Sequence, residues 1–132
     1  MENTVENVVV ESPAKPYTLR RLNDEDLFTV VEILGAALPE EAKQAFAQKF
    51  SGEKAEQNVE KRGAMIGFDI VKYIMKNIKA CKTEVYALLS DLSGIPAEEI
   101  KKMPFGTTPN MLKEIFQNEK DTDFFTELSK LL

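Results

Sequence analysis

The sequence predicts an all-α protein: a compact bundle of about six or seven helices around one long central helix, with a flexible N-terminal arm. Separate stretches carry apolar residues at helical spacing, most clearly Ile66, Ile70, Tyr73, Ile74 and Ile78, whose steps of three and four line one face of a helix. Breakers such as Ser51-Gly52, Gly94 and Pro104 fall between those stretches. No strand-rich segment exists to build a sheet, and no repeat of fixed period appears. At 132 residues the chain has the length of one domain, expected over residues 17–132.

Residues 1–16 are polar and acidic and close on Pro13 and Pro16, a composition that buries little apolar area and predicts a flexible arm. Tyr17 to Leu22 alternates loosely and reads as an extended lead-in. The first helix should open at Asn23 or Asp24, whose short side chains can cap free N–H groups, while Glu25 and Asp26 suit the positive end of the dipole. Leu27, Val30, Val31 and Leu34 form its stripe, with Gly35 a weak point or end. Pro39-Glu40-Glu41 opens a second helix that buries Ala42, Ala45, Phe46 and Phe50 and breaks at Ser51-Gly52.

The third helix is the long one, expected from Glu53 to Ala80, with Ala64, Phe68, Val71 and Met75 on a second apolar face. Gly63 and Gly67, four apart, suit close approach of a neighbouring backbone. A fourth helix starts at Lys82-Thr83-Glu84, buries Val85, Leu88, Leu89 and Leu92, and stops at Gly94. A short fifth follows Pro96 with Ile100 and Met103 inward. A sixth from Pro109 buries Met111, Leu112, Ile115 and Phe116. The last, from about Asp121, presents Phe124, Phe125, Leu128 and Leu131.

The chemistry available is narrow. The chain has no His and one Cys, so a His-based acid, base or metal site is excluded. Carboxylate pairs such as Glu40/Glu41 and Glu98/Glu99 sit at helix N-termini, where the dipole explains them. A non-enzymatic role without cofactor or metal is expected. Cys81 has no internal disulfide partner, which suits a reducing cytoplasm; Lys79 and Lys82 could lower its pKa, but with no His or second Cys beside it a structural cysteine is the expectation. The net charge of −5 argues against general affinity for nucleic acid or anionic membranes. No apolar run approaches the roughly 18–20 residues that span a bilayer, and no signal-peptide pattern opens the chain. A cytoplasmic protein that binds something is the expectation.

Two features are candidates for that binding. The segment Lys54–Lys82 is locally basic, carrying +4 and leaving −9 for the rest of the chain. Within it, Lys72, Lys76 and Lys79 share one helical face that either grips an acidic partner helix or is simply the solvated side. Phe124 and Phe125 point about 100° apart on a helix, so a short terminal helix hides both only in a deep groove; otherwise one anchors a partner or a neighbouring subunit. Monomer, dimer and ring are all compatible with the sequence. A competing reading takes the corner at Gly94 as part of a helix-turn-helix in a small transcription regulator. Glu98 and Glu99 would face phosphates there, which opposes DNA reading. Asp91-Leu92-Ser93 has the wrong residue order for the attachment motif of carrier proteins.

The order of segments resembles the tail assembly chaperones of siphophages infecting low-GC Gram-positive bacteria. Tyr17-Thr18-Leu19-Arg20-Arg21-Leu22 followed by Asp26-Leu27-Phe28 is similar to their opening. The corner Leu92-Ser93-Gly94-Ile95-Pro96-Ala97-Glu98-Glu99-Ile100, the helix Met111–Phe116 and the closing Asp123-Phe124-Phe125 are similar to their later part. The resemblance spans most of residues 17–131 and rests on packing patterns, the double phenylalanine being its best element. It implies a chaperone that binds the tape-measure protein and keeps it soluble until the tail tube protein polymerises around it. It further implies absence from the finished virion and a longer form made by ribosomal frameshifting, of which this chain would be the shorter counterpart. Partner contacts are then expected at Phe116, Phe124, Phe125 and Leu128, helped by Lys72, Lys76 and Lys79. The acidic arm has no counterpart in that pattern.

Overall fold

The computed structural model describes residues 16–50 and 59–132. Among them the chain forms helices α1 (Asp24–Ala37), α2 (Glu40–Phe50), α3 (Val59–Lys76), α4 (Ile78–Ser93), α5 (Ala97–Ile100), α6 (Thr107–Gln117) and α7 (Phe124–Leu131), and no strand. The fold is all-α, as the apolar stripes predict. The arm expected over residues 1–16 lies, apart from Pro16, outside the described residues, as do the Ser51-Gly52 break and the expected start of the third helix at Glu53.

The lead-in is tied down by charge. The Arg20 N–H donates to the Leu92 carbonyl at 3.0 Å, while its guanidinium reaches Asp26 at 2.7 Å and Asp91 at 2.6 Å. Arg21 Nε donates to Glu119 Oε2 at 2.8 Å. These bonds lay residues 17–22 across the C-terminal end of α4 and the turn after α6, with Tyr17, Leu19 and Leu22 partly buried against the core. α1 then opens on a capping box: the Asn23 side chain accepts from the Asp26 N–H, and the Asp26 carboxylate accepts from the Asn23 N–H at 2.8 Å. Gly35 does not end this helix, which continues to Ala37. A glycine with helical backbone angles weakens a helix without stopping it.

α3 packs chiefly against α6 and also against α1, while α1 runs along α4 and α2 meets α7. Ile66, Ile70, Val71 and Ile74 carry α3 into the core. A side chain at Gly67 would not fit easily, because a Cβ there would lie 3.1 Å from the Phe116 Cβ. Of Gly63 only the helical backbone is described.

Two expectations for α3 are corrected. It ends at Lys76, not Ala80, because Asn77 leaves the helix and its side-chain amide donates to the Ala37 carbonyl at 2.9 Å, satisfying a free acceptor at the end of α1. A second irregularity follows at Cys81 (φ −137°, ψ 16°), so regular helix resumes where Lys82 was expected to start it. Phe68 is not on an inner face: it stands 49% exposed on the same outer row as Lys72, four residues on.

Beyond Gly94, a left-handed cap at φ 77°, α5 is a single turn. α6 begins at Thr107, which places Pro109 in its first turn, where a missing N–H costs nothing. Met111, Leu112, Ile115 and Phe116 are buried as the stripe predicts. α7 starts at Phe124 instead of near Asp121. Thr122 holds that preceding turn, its hydroxyl accepting from the Phe124 N–H at 3.2 Å and donating to the Glu119 carbonyl at 2.9 Å. Leu131 is exposed, not core.

Candidate partner-binding surfaces

The aromatic end of the chain is core. Phe116 and Phe125 are each 1% exposed and Leu128 is fully buried, so these residues, expected to meet a partner, present no surface in this fold. The three rings of Phe116, Phe124 and Phe125 form one cluster with centroids 5.2–6.3 Å apart, Phe124 meeting Phe125 edge to face. α7 lies against both α1 and α2, which gives the second phenylalanine the groove it needs. Phe124 alone keeps an outward side. With Leu22 and Leu27 it lines a shallow depression rimmed by Asp24, Asp123 and Glu127.

The lysines do not act as one row. Lys72 and Lys76 share a depression with Asp69 and Tyr73, but the break at Asn77 puts Lys79 on α4. Lys72 and Lys113 both approach the Phe68 ring, at 5.2 and 5.9 Å from its centroid. Neither Lys76 nor Lys79 forms an ion pair with another described residue.

A surface not read from the sequence lies between α2 and α3. Leu38, Ala42, Ala45, Phe46, Ile66, Ile70 and Tyr73 line an apolar cleft of about 170 Å³, with Asp69 at its edge. Small side chains at Ala42 and Ala45, three residues apart on one helix face, leave the cleft open. They are the signal that the pattern offered: alanines inside an apolar stripe mark a shallow stretch of it. The cleft is smaller than the roughly 300–1,000 Å³ that holds most small-molecule ligands. It suits a few side chains of a docking helix.

The corner at Gly94 lacks a reading helix. α5 has four residues, and Lys101 and Lys102 beyond it are paired with Glu98 at 2.8 Å and Glu99 at 3.8 Å. Cys81 is buried, and desolvation followed by the charge of Glu84 pushes its thiol above the ordinary range, as suits the structural cysteine expected and opposite to the lowering its lysine neighbours could give. At Asp26, burial pushes the carboxyl up, but the bonds from Arg20 and the Asn23 N–H and the Arg20 charge outweigh it and hold the group below its usual value. Among the described residues no cluster of His, Cys, Asp or Glu is placed to hold a metal ion, and no helix is long and apolar enough to cross a membrane. In comparisons with known proteins, no family model, curated protein or solved structure matches this chain.

Proposed function

We propose that this protein is a phage tail assembly chaperone, a non-enzymatic helical protein that holds the tape-measure protein soluble in the host cytoplasm and leaves before the virion is complete. The family reading comes from the resemblance of its segments. The observation that carries the binding role is the apolar α2–α3 cleft beside Lys72 and Lys76. A tape-measure chain exposes long apolar helical stripes, and a helix-in-groove contact buries such a stripe a few residues at a time. Many copies along one chain would cover it, each weak contact adding to the pull of mass action toward the soluble complex. The grip thus moves from the aromatic cluster, which is core, to the cleft, with the lysines steering acidic flanks of the incoming helix.

Co-expression with the long helical tape-measure protein of the same phage tests this. Recovery of that protein in the soluble fraction, in a complex with this chain, is the expected result. A tape-measure protein that stays insoluble or elutes alone overturns the reading. Retention on DNA that weakens as salt rises would point to the transcription-regulator alternative instead.

A further inference from the structure

We infer that the depression beside Phe124 is a second docking surface, and that its occupant is a basic amphipathic helix of a partner protein. Its floor is Leu22, Leu27 and Phe124, each only partly buried, and it opens over about 280 Å³. Asp24, Asp123 and Glu127 stand around that floor, and no lysine or arginine lines it. The fourth carboxylate there, Glu119, is buried and held by Arg21 at 2.8 Å. Asp24 and Asp123 form no ion pair with another described residue. Glu127 meets Lys130 at 3.1 Å, but both side chains are more than half exposed, and so weak a pair exchanges readily for another partner. The surface is thus an apolar floor within a rim of carboxylates open to an incoming cation.

Local structure explains the carboxylates but not the floor. α1 begins at Asp24 and α7 at Phe124, so the rim lies where two helices start and negative charge is favoured. Each helix start supplies only about half a positive charge, which leaves the rim acidic. Helix polarity gives no reason for three half-open apolar side chains between those acids. The ring of Phe124 is also held in advance, its centroid 5.2 Å from that of Phe125 and 6.3 Å from that of Phe116, so little ordering remains when a partner meets its outward side. Charge then selects the occupant. An acidic helix, a phosphate or the same face of another copy is repelled, whereas a helix with lysines or arginines beside a large apolar residue satisfies floor and rim together. The sign is opposite to that of the lysines beside the α2–α3 cleft, so one helix does not suit both surfaces, and this inference does not rest on the role of the cleft. A patch of this size makes a small interface, weak and strongest at low salt.

Fluorescence anisotropy tests this with a labelled synthetic peptide, an amphipathic helix of leucine and lysine around one central phenylalanine. The full chain should bind it saturably at about 0.1 M salt and about tenfold or more weakly at about 1 M, where the screening length is only about 3 Å. The same peptide with glutamate for every lysine should not bind. Neutralising the rim with Asp24→Asn, Asp123→Asn and Glu127→Gln should weaken binding by about tenfold or more, and Phe124→Ala should do the same by removing the anchor. A control chain with Glu40→Gln, Glu41→Gln and Glu99→Gln loses the same charge away from the depression and should bind like the wild type. Amide shifts on titration should concentrate at Leu22–Leu27 and Thr122–Glu127, a map that a folding defect in any variant leaves untouched. Absent binding, equal binding of the glutamate peptide, equal loss in the control chain, or shifts centred on the α2–α3 cleft would each overturn the inference.

Discussion

Gly67 brings α3 so close to α6 that a methyl group in place of its hydrogen would stand 3.1 Å from the Phe116 Cβ and 3.5 Å from the Phe125 ring. The nearer atom belongs to the stem of a buried side chain and cannot swing away without moving α6. Gly67→Ala should therefore destabilise the protein by about 1–2 kcal/mol, the overpacking outweighing the better helix propensity of alanine. Urea denaturation of the variant checks it, and an increase in stability would mean that the two helices part easily.

Gly35 makes the opposite case. It sits in α1 with nothing within 4 Å of where a Cβ would be. Gly35→Ala should stabilise by about 0.5–1 kcal/mol by removing unfolded-state freedom. The same denaturation series measures it.

The two terminal phenylalanines should separate cleanly. Phe125→Ala empties a fully buried site and should cost about 3–5 kcal/mol. Phe124→Ala, at the rim, should cost clearly less. Truncation after Lys120 removes Phe125 and Leu128 together and should unfold the chain globally, seen as loss of helical circular dichroism. A truncated chain that stays helical would contradict the core assignment.

The clamp at Arg20 links stability to acid. With its folded pKa depressed, Asp26 contributes stability in full above the ordinary carboxylate value of about 4, and that contribution is lost as pH falls through the lower folded value. Arg20→Ala should cost about 1–2 kcal/mol near neutral pH. The low end is favoured because the Arg20 side chain stays 38% exposed, where solvent screens it. The gap between wild type and variant should close as pH is lowered below about 4, which parallel melts across pH would reveal. A gap independent of pH would mean that Arg20 acts through packing alone.

Ala45 probes the cleft without touching the core, since it is exposed on the cleft wall. Ala45→Arg should leave the thermal melt within about 0.5 kcal/mol of wild type. It should nonetheless abolish capture of the tape-measure protein in a pull-down, by filling the cleft with a charged side chain. Undiminished capture would move the binding surface elsewhere.

Local pattern made much of this fold legible. Helix faces follow from spacing, and Met111, Leu112, Ile115 and Phe116 lie buried where their stripe places them. The cap at Asn23 follows from its short side chain, whereas the return bond by which Asp26 completes a capping box goes beyond the dipole role its position suggests. What escaped depends on residues distant in sequence. The apolar stripe runs straight through Asn77, and only the carbonyl of Ala37, forty residues earlier, gives that asparagine a reason to leave the helix. Arg20 and Arg21 find Asp91 and Glu119 across the fold, a pairing that no local charge pattern encodes. Phe125 is core because two other helices close over α7, and an isolated helix of eight residues gives no hint of them.

Cys81 turns the irregular start of α4 into a built-in clock. Its sulfur is wholly enclosed, its S–H directed at the Asn77 carbonyl 3.8 Å away. An alkylating reagent in solution therefore meets this thiol only while the surrounding helices are apart. When reclosing is faster than labelling, the rate at which one mass tag is added counts the fraction of molecules open at any instant. Any ligand that holds the helices together would slow that count, giving a measure of binding that requires neither a dye nor an engineered cysteine.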